Sequence, residues 1–172
     1  MSTHAELAAR VKERCYLTGS FTLRSGIVSN EYFDKYQFES DPELLHQIAT
    51  ELCKLIPPET EVLAGLEVGG IPVATVMAQI CRLPVCFVRK EAKKYGTAKL
   101  AEGVSIEGKN VLIIEDVVTS GGQVILSTKD LRDRGARVAQ ALCVIDREQG
   151  GKEKLAAAGI ALQSLLLKSD MS

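Results

Sequence analysis

One segment constrains the fold of this chain more than any other: residues 111–123, with the sequence VLIIEDVVTSGGQ. Its first four residues are apolar without alternation, which predicts a parallel strand over 111–115 that is buried on both faces of a sheet. Glu115 and Asp116 would then lie at the carboxyl end of that strand, where open α/β sheets bind their ligands. The segment therefore predicts an α/β fold with a ligand site at this edge.

The turn that follows the two acids has the composition of an anion-binding loop. It reads Thr119-Ser120-Gly121-Gly122, and a helix is predicted over 123–134. Backbone N–H groups in such a turn, together with the positive end of the helix dipole, can bind a phosphate. The segment is not a Walker A loop or a dinucleotide fingerprint, because Gly-Lys-Ser/Thr and G-x-G-x-x-G are absent. Two carboxylates beside this turn suit a ribose phosphate, although a purely structural strand-to-helix connection stays open at this point.

Helices and short apolar strands alternate along the rest of the chain, which predicts one α/β domain with a mostly parallel sheet and helices on both faces. A loop-rich or hairpin segment is expected over 19–34 and a long loop over 91–108. Asp41 is expected to cap the second helix, with Pro42 in its first turn. The predicted helices cover 5–15, 42–55, 71–81, 123–134 and 152–158, and the strands cover 61–65, 85–88, 111–115, 138–146 and 160–167.

The composition narrows the class of protein. A net charge of −1 and 5% aromatic residues give no reason to expect binding to nucleic acid or to anionic membranes. The five cysteines form no CxxC pair and there are only two histidines, which argues against a zinc site and against a hydrolase with a histidine base. We find neither a signal-peptide pattern nor an apolar run long enough to cross a bilayer, so a cytoplasmic protein with reduced thiols is expected.

The acidic pair and its turn resemble the phosphoribosyl pyrophosphate (PRPP) signature of the type I phosphoribosyltransferases. Three further segments are similar, in order and spacing, to the orotate phosphoribosyltransferase family: FTLRSG at 21–26 with YFD at 32–34, RKEAKKYG at 89–96, and DREQGG at 146–151. The resemblance extends from about residue 5 to about residue 167. It implies the type I phosphoribosyltransferase fold, with a core of about 41–172 and a small N-terminal hood of about 1–40.

The resemblance also implies a reaction and its participants. The chain would transfer the 5-phosphoribosyl group from PRPP to orotate, giving orotidine 5′-monophosphate and pyrophosphate in pyrimidine (UMP) biosynthesis. Mg²⁺ would be needed and would be held mainly through PRPP, without a definite protein ligand. The family's mobile loop covers the site of the neighbouring subunit, so the resemblance implies a homodimer.

Roles for particular residues follow from the same resemblance. Lys93, Glu115 and Asp116 would be catalytic, Lys93 by stabilising the leaving pyrophosphate and the two acids by holding the ribose hydroxyls. Orotate would be held by Arg24, Thr119 and Arg147, with Phe33 stacking nearby, and 66–72 would form a pyrophosphate loop. The PRPP-binding residues would be Arg89, Lys90, Lys93, Tyr95, Glu115, Asp116, Val117, Val118, Thr119, Ser120, Gly121, Gly122 and Gln123.

Three positions depart from residues found in the family. Many relatives have lysine where Arg24 stands and histidine where Tyr95 stands, and some have lysine where Gly69 stands. Tyr95 does not become charged near neutral pH, so a histidine-type pH dependence is not expected.

Several alternatives stay open at this stage: a phosphoribosyltransferase for another base, a paralogue with weak activity, and a regulator that binds nucleic acid. Arg147 could also form a surface salt bridge with Asp146 or Glu148.

Overall fold

The computed structural model describes residues 3–22, 26–90 and 100–171. The helices are α1 His4–Cys15, α2 Tyr36–Glu39, α3 Pro42–Cys53, α4 Gly70–Cys81, α5 Gly122–Arg132 and α6 Gly151–Ala157, and a 3₁₀ turn follows at Lys168–Met171. The strands are β1 Tyr16–Thr22, β2 Val28–Phe33, β3 Val62–Leu66, β4 Val85–Val88, β5 Ala101–Gly103, β6 Val111–Val118, β7 Gln140–Asp146 and β8 Ala161–Leu167.

A six-stranded sheet forms the centre of the fold, in the order β5-β4-β3-β6-β7-β8. β5 is antiparallel to β4, and the other neighbouring pairs are parallel. Alternate residues of β6 face opposite sides, so Leu112 and Ile114 pack with α1, α3 and α4, while Val111 and Ile113 pack with α5 and α6. The predicted mostly parallel sheet with helices on both faces is confirmed.

The N-terminal region forms a hairpin and two helices beside the sheet. β1 and β2 pair antiparallel, with an irregularity between Thr18 and Phe21, so the hairpin interpretation of 19–34 is confirmed for the described residues. α1 begins with a capping box between Thr3 and Glu6. Phe38 of α2 is fully buried in the cluster that contains the core side chains of α3 and α4. The hairpin and α2 are thereby held against the sheet.

Several predicted boundaries differ from the structure. β6 continues to Val118 instead of ending at 115, because Val117 and Val118 still pair with β7 after the pairing with β3 has ended at Ile114. β5 lies inside the expected loop of 91–108, of which 91–99 lie outside the described residues. α2 was not predicted, since four residues are too few for a periodic pattern. The predicted cap of α3 is confirmed, because the Asp41 side chain accepts the N–H groups of Glu43 and Leu44.

The helices in the described ranges are all too short or too polar to span a membrane.

Candidate active site

A cavity of about 170 Å³ lies where β6 turns into α5. Thr119 and Ser120 are exposed at its edge, and Gly121 adopts the left-handed conformation with φ of 74° just before the helix. Gly121, the residue before α5, provides no side-chain cap, so the first N–H groups of the helix can bind an anion. The lining consists of Glu115, Val117, Val118, Thr119, Ser120, Gly121, Gly122, Gln123 and Val124. The structure therefore gathers most of the predicted PRPP-binding residues around one cavity.

The start of α6 supports this turn from behind. A Cβ on Gly151 would stand 2.6 Å from the carbonyl oxygen of Thr119, and one on Gly121 would stand 3.0 Å from Cγ of Leu155. The contact at Gly151 is closer than a side chain permits, and Gly121 has the left-handed φ that favours glycine, so this close packing depends on glycine at both positions. The last glycine of the DREQGG segment therefore serves to pack α6 against the turn.

The two acids of β6 have different surroundings. Glu115 lines the cavity, whereas Asp116 does not, because successive residues of a strand point to opposite faces. Glu115 Oε1 accepts the backbone N–H of Asp116 at 3.0 Å, and Asp116 Oδ1 accepts the N–H of Val117. Asp116 is only 1% exposed. The expectation that both carboxylates hold ribose hydroxyls stays a prediction.

Asp116 is enclosed by three residues from other parts of the chain. The Lys35 ammonium forms an ion pair with Asp116 Oδ2. The backbone of Gly69 lies so close that a Cβ there would overlap Oδ2, and this Cβ would also stand 2.7 Å from Glu39 Oε1. Sequence reasoning missed Lys35 and Glu39 as site residues. The four residues of α2 are too few to give a helical pattern, so the sequence carried no signal for this pair.

The electrostatics of this cluster distinguish one ionised carboxylate from its neighbours. Burial raises the pKa of Glu39 to about 8, and Asp116 adds to the shift. Burial, followed by the charge of Asp116, also raises the pKa of Glu115 well above its ordinary value. Burial alone would raise the pKa of Asp116, but hydrogen bonds with Glu115, Lys35 and Glu39 outweigh it and lower that pKa. Asp116 is therefore the carboxyl group of this cluster that ionises most readily.

Arg147 connects the end of β7 to the hood and to the turn. Its backbone N–H donates to the carbonyl of Val118 at 2.9 Å, and its guanidinium carbon lies 5.6 Å from the ring centroid of Phe33. Its buried Nε has no hydrogen-bond partner within the described ranges. The described residues contain no ion pair of Arg147 with Asp146 or Glu148; Asp146 accepts the N–H of Glu148, and Glu148 accepts the N–H of Ser169. Arg147 thus keeps donor capacity for a ligand.

The predicted mobile loop begins at the end of β4. The Arg89 N–H donates to the carbonyl of Leu100 at 2.9 Å, and Arg89 Nε lies 3.6 Å from Glu102 Oε1. Lys90 is exposed. Arg24, Lys93 and Tyr95 lie outside the described residues, so their predicted roles stay predictions.

A larger cavity of about 330 Å³ lies at the amino edge of the sheet, beside Asn110 and Arg137. Its arginines already have protein partners: Arg132 donates to the carbonyls of Val138 and Gly159, and Arg137 donates to Asn110 Oδ1. This cavity lacks the acidic pair and the glycine turn, so the cavity at the carboxyl edge is the candidate active site.

Comparison with known proteins identifies the family. The Phosphoribosyl transferase domain family matches residues 41–162. Orotate phosphoribosyltransferase from Nocardioides sp. is 47% identical over 171 residues, which cover 99% of this chain and 96% of that protein. The Mycobacterium tuberculosis enzyme of that name, in complex with Fe(III) dicitrate, superposes with a TM-score of 0.86 at 30% identity over 98% of each chain. Its complex with PRPP gives 0.82 at 27% identity, again over 98% of each chain.

The chain therefore belongs to the phosphoribosyltransferases, and its fold is that of the type I enzymes. Within them it belongs to the orotate phosphoribosyltransferase family. The resemblance inferred from the four sequence segments is confirmed, and so is the assignment of the chain as a transferase.

Proposed function

We propose that this chain transfers the 5-phosphoribosyl group of PRPP to N1 of orotate, giving orotidine 5′-monophosphate and pyrophosphate for UMP synthesis. The observation that carries the proposal is the proximity of two features at one edge of the sheet. One is the glycine turn with its cavity, and the other is Arg147, whose backbone is hydrogen-bonded to Val118 directly before that turn. A phosphate site beside an arginine suits an acceptor that carries a carboxylate.

The turn would bind the 5-phosphate of PRPP. Backbone N–H groups from Val117 to Gln123 and the hydroxyls of Thr119 and Ser120 border the cavity, which supports this role. Glu115 on the cavity wall, and Asp116 beside it, would accept hydrogen bonds from the ribose hydroxyls. The negative charge of Asp116 would also favour the oxocarbenium character that develops at the ribose carbon during transfer.

Orotate would lie between the turn and the hood. The Arg147 guanidinium would donate to the orotate carboxylate or a ring carbonyl, and its unpartnered buried Nε supports this role. The Phe33 ring, already stacked against Arg147, offers an apolar surface for a flat ring. Arg24 and Thr119 would contribute further donors.

The leaving pyrophosphate would be neutralised by basic residues of the 89–99 segment. Arg89, Lys90, Lys93 and Tyr95 are proposed to contact it, with Lys93 closest to the charge that develops. Mg²⁺ carried by PRPP would supply additional charge neutralisation. Residues 3–22, 26–90 and 100–171 contain no cluster of three carboxylate, histidine or cysteine side chains arranged to hold a metal ion. Asp116 is already paired with Lys35, so the residues present fit a cation that PRPP brings with it.

The proposal includes a homodimer in which the 89–99 segment of one subunit covers the site of the other. Mixing two inactive variants, Lys93→Ala and Asp116→Asn, tests this arrangement. A loop that acts across subunits restores activity in the mixed dimer, because one of its sites then has both residues intact. A loop that acts within its own subunit gives no such recovery. A cytoplasmic location is also proposed, and the five free cysteines support it.

Pyrophosphate release with different acceptors tests the proposed reaction. The purified chain, PRPP and Mg²⁺ are incubated with orotate, uracil, adenine or hypoxanthine, and pyrophosphate is measured. We expect release with orotate to exceed release with the other bases by far, and we expect Arg147→Ala to reduce this preference. Preferential release with a purine would assign the site to a different base. Failure of every acceptor with a folded sample would favour a non-catalytic protein.

A further inference from the structure

We propose that Lys35 is a positioning residue for Asp116: an ammonium group from the hood holds this core carboxylate in the orientation that binds ribose. The inference rests on the proposed function, since it concerns the same PRPP site. It adds a role for the hood that is separate from the predicted contacts with orotate.

The backbone around Lys35 is fixed by local contacts. The Asp34 N–H donates to the carbonyl of Cys15 at 2.8 Å, and Asp34 Oδ1 accepts the N–H of Tyr36 at 3.1 Å. Asp34 Oδ2 accepts the side-chain amide of Gln37 at 2.9 Å. Phe38, three residues beyond Lys35, is fully buried. The segment that carries Lys35 is therefore anchored at both sides, and the side chain of Lys35 is only 34% exposed.

Lys35 and Glu39 approach the same carboxylate because they are four residues apart at the start and end of α2. Lys35 forms the ion pair with Asp116 Oδ2, and the buried carboxyl group of Glu39 lies beside the same carboxylate. Asp116 thus has a cation and a second carboxyl group on its hood side. Without the cation, the buried Asp116 carboxylate would lose its counter-charge, which would favour a different orientation or protonation of Asp116.

The remaining sides of Asp116 belong to the core. Asp116 Oδ1 accepts the N–H of the next residue in β6, and the backbone of Gly69 fills the space next to Oδ2. In the described part of the chain, Lys35 and Glu39 thus reach Asp116 from the hood, and Lys35 is the cation of the two. The orientation of Asp116 consequently depends on the position of the hood, and loss of Lys35 should affect ribose recognition specifically.

Direct binding measurements test the proposal without requiring turnover. Titration calorimetry with PRPP and Mg²⁺ is compared with titration using inorganic pyrophosphate, which lacks the ribose. Lys35→Met removes the charge and keeps the length of the side chain, and Lys35→Arg keeps the charge. Lys54→Met is the matched control, because Lys54 is an exposed lysine whose ion pair with Glu51 lies within one helix turn, outside the proposed site.

We expect Lys35→Met to weaken PRPP binding by about 10- to 50-fold, the lower part of the range for a charge-assisted hydrogen bond, because Lys35 is partly exposed. Pyrophosphate binding should stay unchanged, Lys35→Arg should recover part of the loss, and Lys54→Met should bind PRPP like the wild type. Equal weakening of PRPP and pyrophosphate, or a loss of PRPP affinity explained by a lower melting temperature, would assign Lys35 a structural role and overturn the proposal. Unchanged PRPP binding would also overturn it. A wild-type chain that binds no PRPP would instead contradict the proposed function.

Discussion

Replacing Gly69 by alanine should impair PRPP binding through a single steric conflict. Gly69 adopts φ of −70°, which any residue can adopt, so its backbone conformation does not require glycine. The space does, because a Cβ would overlap Asp116 Oδ2 and would stand 2.7 Å from Glu39 Oε1. Asp116 cannot move away freely, since Lys35 and the Val117 N–H hold its two oxygens.

The size of the effect follows from the contact that must break. Displacing the Asp116 carboxylate breaks its charge-assisted hydrogen bond with Lys35, and such a bond contributes about 1.5–3 kcal/mol. At ~1.4 kcal/mol for each tenfold change in a binding constant, Gly69→Ala should bind PRPP about 10- to 150-fold more weakly. The added methyl group should also lower the free energy of unfolding by about 1–3 kcal/mol, as overpacking does in other cores.

Calorimetric titration with PRPP and a thermal unfolding curve measure the two effects separately. Gly70→Ala provides the contrast, because a Cβ there would overlap the carbonyl oxygen of Ile114 in β6, and its nearest neighbours are backbone atoms of Ile114 and Glu115. We expect Gly70→Ala to lose more stability than Gly69→Ala. Relative to its drop in melting temperature, Gly70→Ala should lose less PRPP affinity than Gly69→Ala does. A Gly69→Ala protein that binds PRPP as tightly as the wild type would refute the assignment of Asp116 to the ribose.

Three further variants test the remaining parts of the site. Burial raises the pKa of Glu39 to about 8, so the folded chain keeps a proton that the unfolded chain releases above its ordinary pKa of 4.5. The free energy of unfolding of the wild type, relative to that of Glu39→Gln, should therefore fall as the pH rises from 4.5 to 8. Because Glu39 is partly exposed, we expect a fall of about 2 kcal/mol. A difference between the two proteins that does not change with pH would disprove it. Lys93→Ala should reduce turnover by ~10²–10³-fold without a change in melting temperature, and unchanged turnover would remove Lys93 from the mechanism. Arg147→Ala should raise the KM for orotate by about 10- to 100-fold and change the KM for PRPP much less; an equal rise in both would contradict its contact with the base.

The sequence was most informative where a pattern is local. The apolar run before Glu115 predicted a buried central strand, and the Asp41-Pro42 pair predicted the start of α3. The glycine turn likewise predicted the position of the cavity. In each case, residues close in sequence determine the structure through strand burial, helix capping or turn geometry, so a short segment carries the signal.

The contacts of Asp116 could not be predicted in this way. Lys35 lies 81 residues before Asp116, and no periodic pattern relates the two positions. The short α2, which places Lys35 and Glu39, has only four residues and gives no helical signal of its own. The role of Gly69 depends on the same assembly, because its lack of a side chain matters only once Asp116 occupies the adjacent space.

The consumption of orotate tests the central claim most directly. Orotate absorbance is followed with the chain, PRPP and Mg²⁺ all present, and then with each one omitted in turn. We expect the absorbance to fall only in the complete mixture, with orotidine 5′-monophosphate as the product. No fall in the complete mixture, with a sample that is folded and binds PRPP, would contradict orotate as the acceptor.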